Sequence, residues 1–249
     1  LPFTTVAFSE SQDSAVLVNI AAVADPHVRV VGDDIYVPGA LPNLAGYYFG
    51  GANFTQGQVS SPSLRTLANI DVEPADLADE PASPPAVHDL FASPKPLEGG
   101  EAINTLMAED AAGASRVNAI LWFSDGPIAP VTGDIFTVRA TGATTLVANA
   151  WTNGALTFTQ TLRRGTYQIV GMRAQSAGLR AARLVAPGET WRPGCLGCDA
   201  DGDIENQVFR RGKAGVWATF SHDAPPTVDF FSASADTSEV VHLDLIKTA

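Results

Sequence analysis

From Asp134 onward the chain is a succession of short runs rich in β-branched and aromatic residues, broken by turn dipeptides, with no long amphipathic helical pattern between them. The runs are Ile135-Phe136-Thr137-Val138, Thr144-Thr145-Leu146-Val147, Ala155 to Thr159, Tyr167-Gln168-Ile169-Val170, Ala182 to Val185, Gly215 to Phe220, Thr227 to Phe231 and Val240 to Ile246. Between them stand Thr141-Gly142, Asn153-Gly154, Arg164-Gly165, Pro187-Gly188, Pro193-Gly194 and Pro225-Pro226, which supply the backbone angles that turns require. About eight strands in roughly 120 residues is the content of one eight-stranded β-sandwich of the jelly-roll type. The fold class expected is therefore all-β.

The first half carries the same signal less regularly. Ala15 to Ile20, His27 to Val31, Asp34 to Val37 and Tyr47 to Phe49 are candidate strands, and Asn118 to Phe123 is the strongest apolar run before the midpoint. Residues 71–101 hold Pro74, Pro81, Pro84, Pro85, Pro94 and Pro96 among many acids, which predicts a long irregular loop with a role of its own. Glu101 to Ala108 reads as a short helix. Tyr47, Gly51 and Leu64 recur 120 positions later as Tyr167, Gly171 and Leu184, an offset close to half the chain. The expected organisation is two stacked barrels: residues 1–127 as an N-terminal β-barrel bearing the Pro-rich acidic loop, and residues 128–249 as a C-terminal jelly roll. A single barrel preceded by a differently folded half is the alternative.

Charge narrows the function. The net charge is −12 with a pI near 4.6, which argues against direct nucleic-acid binding, since that needs a basic stripe. The charge is unevenly placed. Residues 1–127 carry sixteen acidic and four basic side chains, whereas residues 128–249 carry eleven of each. With 45% hydrophobic and 17% charged residues the chain can bury a core, and the few charges suggest surface covered by neighbouring subunits. No apolar run approaches the roughly 20 residues of a spanning helix. Leu1-Pro2-Phe3-Thr4 shows neither a signal-peptide pattern nor an initiator Met, so the expected start is a trimmed one.

Catalytic and metal-binding patterns are sparse. Asp199-Ala200-Asp201-Gly202-Asp203 with Glu205 is the densest set of oxygen ligands and a candidate for Ca²⁺. Its glycine falls at the fourth position and Arg210 at the twelfth, unlike an EF-hand, so a solvated acidic turn is the plainer reading. Cys195 and Cys198 have the spacing of half a zinc site or of a redox pair, but no second pair of ligands follows. Two free thiols in a tight loop is the reading preferred to a local disulfide. His27, His88, His222 and His242 are scattered. Ser221-His222-Asp223 invites a hydrolase reading, yet no nucleophile elbow accompanies it. No catalytic residue, cofactor or metal ligand is assigned, and no enzyme is expected. Arginine is the remaining signal: Arg163, Arg164, Arg173, Arg180, Arg183, Arg192, Arg210 and Arg211 stand in a half whose lysines are Lys213 and Lys247. Arginine is favoured at protein interfaces, and an acidic first half offers it a complement on the next copy.

Tyr167 to Met172, Ser176 to Leu179, Ala181 to Val185, Trp191 to Gly194, and the close from Pro225-Pro226-Thr227-Val228-Asp229-Phe230 to Val241-His242-Leu243-Asp244-Leu245-Ile246 together resemble the double jelly-roll major capsid proteins of tailless icosahedral bacteriophages. The resemblance covers about the last 120 residues, at the level of strand order and turn placement. It implies two eight-stranded barrels, three chains forming a pseudo-hexagonal capsomer, no catalysis, and a place in the virion after assembly in the host cytoplasm. Partners would be identical copies and other capsid components; an internal membrane is left open. Rival readings are a carbohydrate-binding β-sandwich using Trp151, Trp191 or Trp217 as a platform, a viral spike or vertex protein, and an enzyme built on a β-sandwich around His222.

Overall fold

The computed structural model describes residues 3–51, 53–65, 74–76, 87–110, 113–198 and 206–248. These are almost wholly strand and turn, with one short 3₁₀ helix at Gln207–Phe209. They group into two compact units, Val6–Gly126 and Pro127–Ala249, and Phe3, Thr4 and Thr5 group with the second.

The first unit is built from β1 (Phe3–Gln12) from Val6 onward, β2 (Val18–Asn19), β3 (Val30–Val31), β4 (Asp34–Tyr36), β5 (Asn43–Gly51), β6 (Phe54–Ser60), β7 (Pro74–Asp76), β8 (His88–Asp89), β9 (Lys95–Pro96), β10 (Ala102–Glu109) and β11 (Ser115–Ser124). One sheet runs β1-β11-β5-β8, with β9 also on β5. The other runs β3-β4-β10-β6-β7, with β2 also on β10. The second unit contains β12 (Ile135–Thr141), β13 (Trp151–Gly154), β14 (Thr157–Phe158), β15 (Thr166–Gln175), β16 (Leu179–Val185), β17 (Gly194–Cys198), β18 (Ala218–Ser221), β19 (Thr227–Ser232) and β20 (Val240–Lys247). Its strands run β13-β19-β16-β17 and β18-β15-β20-β12-β14. β17 joins the two rows through an antiparallel pairing with β16 and a parallel one with β15.

If β2 to β4 count as one broken strand and the short β9 and β14 are set aside, both units have one order. First, eighth, third and sixth strands form one sheet; second, seventh, fourth and fifth form the other. Two interleaved Greek keys of this kind make a jelly-roll β-sandwich. The sequence repeat falls on this correspondence. Tyr47 and Gly51 lie on β5, Tyr167 and Gly171 on β15, the third strand of each unit. Each tyrosine stacks on a ring of the sixth strand: Tyr47 on His88, centroids 4.5 Å apart, and Tyr167 on Phe220 at 5.6 Å. The third member breaks the pattern, because Leu184 is inside β16 whereas Leu64 follows the end of β6.

Several expectations are corrected. Glu101 to Ala108 is not helical; Ala102–Glu109 is β10, paired with β2, β4 and β6. Ala, Leu, Met and Glu favour a helix locally, but Ile103, Thr105 and Met107 alternate inward at 0% exposure, and cross-strand pairing overrides propensity. The 71–101 segment is not wholly irregular, since β7 pairs with β6, and β8 and β9 pair with β5; residues 71–73 and 77–86 lie outside the described residues. Thr144 to Val147 is a connection rather than a strand, although Leu146 is buried. Asn153-Gly154 ends β13 instead of turning, and Gly194 opens β17. β6, β13 and β17 carry too few β-branched or aromatic residues in a row to announce themselves, whereas β1 opens on Phe3-Thr4-Thr5-Val6, a run that sequence reading simply missed.

Glycine is required where chains approach closely. A Cβ on Gly57 would stand 2.5 Å from the Phe49 ring, so β6 can lie against the inner face of β5 only without one. At Gly171 a Cβ would meet Asp244 Oδ2 at 2.7 Å and the backbone of Phe209 and Arg211 at 2.8 and 2.9 Å, and the β15–β20 register shifts at this point.

Candidate functional site

The arginines singled out in the second half divide into two populations. Arg183, Arg192 and Arg210 are buried and serve the unit internally. Arg183 Nε donates to Asp229 Oδ2 at 3.0 Å and its Nη1 to the Thr5 carbonyl at 3.0 Å, while the guanidinium lies 4.0 Å from the Trp151 ring centroid. Asn153 Nδ2 completes Asp229 at 2.8 Å. Arg192 Nη1 donates to the Glu189 carbonyl at 2.7 Å. Arg210 grips Asp244 with two bonds of 2.8 and 2.9 Å, and Thr137 Oγ1 and the Arg211 N–H donate to the same carboxylate at 2.6 and 2.7 Å. Burial alone would raise the Asp244 pKa. The donors from Arg210, Thr137 and Arg211 outweigh it and hold the group below its ordinary 3.8. Interface chemistry is therefore not what these three arginines report.

The outward population is Arg163, Arg164 and Arg211, exposed, with Arg173 and Arg180 half-exposed; Arg139, which was not among those singled out, is exposed as well. Arg139 on β12, His242 on β20 and Arg173 on β15 lie in one cross-strand row. His242 and Asp244 point away from the core that Val241, Leu243 and Leu245 fill at 0% exposure, so this face of the sheet is polar. Arg173 Nη1 donates to Gln175 Oε1 at 3.0 Å on the same face. Large apolar side chains that stand open are Val16 and Val31 in the first unit, and Phe136 and Val147 in the second.

The remaining candidates fall elsewhere. Cys195 and Cys198 are buried on β17, not in a loop, and are not disulfide-bonded to each other; burial first, and then Cys198, push the Cys195 thiol far above its ordinary value, away from the thiolate that redox or metal chemistry uses. His222 Nδ1 is 3.9 Å from Asp223 Oδ1 in the turn after β18, and Asp223 is held low first by the Ser221 hydroxyl, so the triplet closes on itself as a turn. Trp217 packs edge-on against Phe3 at 5.3 Å and Phe209 at 6.2 Å, and Trp151 lies between Arg183 and Phe231. Trp217 is thus buried and Trp151 half-buried against protein, while Trp191, the third ring named for a sugar platform, is half-exposed. Asp199, Asp201, Asp203 and Glu205 lie outside the described residues. Among the described residues no group of three or more His, Cys, Asp or Glu converges as a metal site. No described helix is long and apolar enough to cross a membrane.

Sequence reading missed the buried carboxylates. Glu109 and Glu239 are each 1% exposed. Glu109 Oε1 accepts from the Ser115 hydroxyl, and Glu239 Oε2 accepts from the Thr144 N–H at 3.2 Å. A lone acid at a strand end has no distinguishing pattern, which is why neither stood out.

No protein-family model matches the chain, and no curated protein matches it. Among solved structures it is similar to the major capsid protein P2 from bacteriophage PM2, with 13% identity over 99% of this chain and 98% of that chain, at a TM-score of 0.28.

Proposed function

We propose that this chain is a structural virion protein, a major capsid protein of the double jelly-roll kind, with residues 1–127 and 128–249 as its two domains. The observation that carries the reading is the repeated strand order: two consecutive units, each with first-eighth-third-sixth against second-seventh-fourth-fifth pairing, in one chain. Fold alone does not name a function. Two features of the chain add to it: an acidic first half beside a neutral second half, and an outward set of arginines.

In this reading function resides in contacts between copies and with other capsid components, not in catalysis, and the protein's place is the virion. Three copies closing into a trimer make each contact heterologous, one patch meeting a different patch on the next chain. A durable contact buries more than about 1,000 Å² in total. The outward arginines Arg139, Arg163, Arg164 and Arg211 supply the basic side, and acids of residues 1–127 on the neighbour the other.

Native mass spectrometry over a wide concentration range, together with negative-stain imaging of concentrated protein, tests this. Trimers or closed shells are the expected result, weakened by salt because exposed charge pairs are screened. A monomer at every concentration would overturn it.

A further inference from the structure

Three connections of the second unit meet at one end: residues 142–150 after β12, the turn 176–178 between β15 and β16, and residues 233–239 before β20. Backbone bonds tie them together. Gly142 N donates to the Glu239 carbonyl at 2.9 Å, Leu146 N to that of Asp236 at 2.9 Å, and Ala233 N to that of Gly178 at 2.8 Å. Ser176 Oγ and Ala177 N donate to Asp236 Oδ2 at 2.6 and 3.0 Å, fixing the turn to the third connection.

The Glu239 carboxyl is sealed into this junction at 1% exposure. Its Oε2 accepts from Thr144 N, and a Cβ on Gly142 would stand 2.5 Å from that oxygen, so the first connection closes directly onto the carboxyl. Its Oε1 is buried with no hydrogen-bond partner among the described residues. Residues 142–150 and 176–178 contain no ionisable side chain, and residues 233–238 contribute Asp236 alone. The cross-strand neighbours where β20 begins are Thr141 and Gln175, both uncharged. No cation therefore faces Glu239 from these elements, and the charge that acts on it is a like one.

We propose that Glu239 is a proton-operated latch on this end of the second unit: its neutral carboxyl lets the three connections close, and loss of the proton loosens them. An ionised carboxylate deprived of water and of a counter-charge is unfavourable where it stands, whereas in the opened junction water solvates it. Burial, opposed by the N–H groups of Thr144 and of Glu239 itself and helped by Asp236, accordingly raises its pKa above the ordinary 4.5. A carboxyl raised in the closed form supports closure fully below pH 4.5, and that support is lost as pH rises through the raised value. The latch thus opens on alkalisation. Asp236, held below 3.8 first by Ser176, stays ionised throughout that window and does not share in the transition.

The test is hydrogen exchange of the Gly142, Thr144 and Leu146 amides in the full chain between pH 4.5 and 8, expressed as protection factors so that intrinsic exchange is removed. A fall of about tenfold for each unit of pKa displacement is expected for these three amides. Ile120 in β11, referenced in the same spectra, should stay level. The Glu239→Gln variant should show the same protection at both ends of the range. A flat wild-type profile overturns the latch, and so does a glutamine variant that keeps the wild-type slope. If the variant fails to fold, the wild-type profile decides alone. None of these readouts depends on whether copies assemble.

Discussion

β11 and β20 hold the same place, the eighth strand of their units, yet they are built oppositely. β11 is buried on both faces: Ile120, Leu121, Trp122 and Phe123 are each 0% exposed. β20 buries Val241, Leu243 and Leu245 on one face and carries His242 and Asp244 on the other. A strand enclosed on both sides reads as a continuous apolar run, and one with a polar side reads as an alternation. The lesson is that strand order depends on the inner face and on backbone pairing, which both strands provide. The other face is free to be apolar in one unit and to hold an ion pair in the next.

The strongest way to break this comparison is to unbalance the polar face. Replacing Asp244 by Ala strands Arg210 in the interior, and a loss of about 3–5 kcal/mol is expected in urea unfolding of the second unit. The double replacement Arg210→Met with Asp244→Leu should recover most of it, because removing both charges removes the desolvation cost as well. An unchanged midpoint in the single variant would show that the pair carries no stability.

The apolar counterpart is Trp122→Ala in β11. Truncating a fully buried indole is expected to cost about 3–5 kcal/mol, here in the first unit. Two resolved unfolding transitions, each moved by its own variant, would establish that the units respond separately; coupled shifts would dissolve the contrast.

Acid offers a subtler probe. Because Asp244 is depressed below 3.8, its contribution is present above that pH and disappears as pH falls through its folded value. Acid unfolding of the second unit should therefore begin below about pH 4 and be blunted in the double variant just named. Glu109 gives a smaller effect. Ser115→Ala removes the hydroxyl donor from its buried carboxylate and should cost about 1–3 kcal/mol in the first unit. Val147→Asp, at a side chain 57% exposed, should leave stability within about 0.5 kcal/mol. If it nevertheless abolishes association, that side chain lies in a contact between copies.

Much of the fold was legible wherever β-branched and aromatic residues gather between turn dipeptides, as in Thr227 to Phe231 or Val240 to Ile246. Legibility failed in three ways. β10 ends in a run of helix formers, Leu106 to Glu109, and becomes a strand because β6 waits beside it. β17, Gly194–Cys198, was hidden by glycines that are needed because Leu179 and Ala182 press within 3 Å of any Cβ there. The arginine signal mixed two roles, since exposure separates Arg163 from Arg183 and composition does not.

By itself the amino-acid order determined that this chain is all-β and that its charge is lopsided. Those properties are local or additive: a period of two, a turn dipeptide, a sum of charges. Only the tertiary structure decided which acids are enclosed, which arginines serve the interior, and that Glu239 lies where three connections converge. Such outcomes depend on residues far apart in the chain, and a buried charge is defined by what surrounds it rather than by its neighbours in sequence.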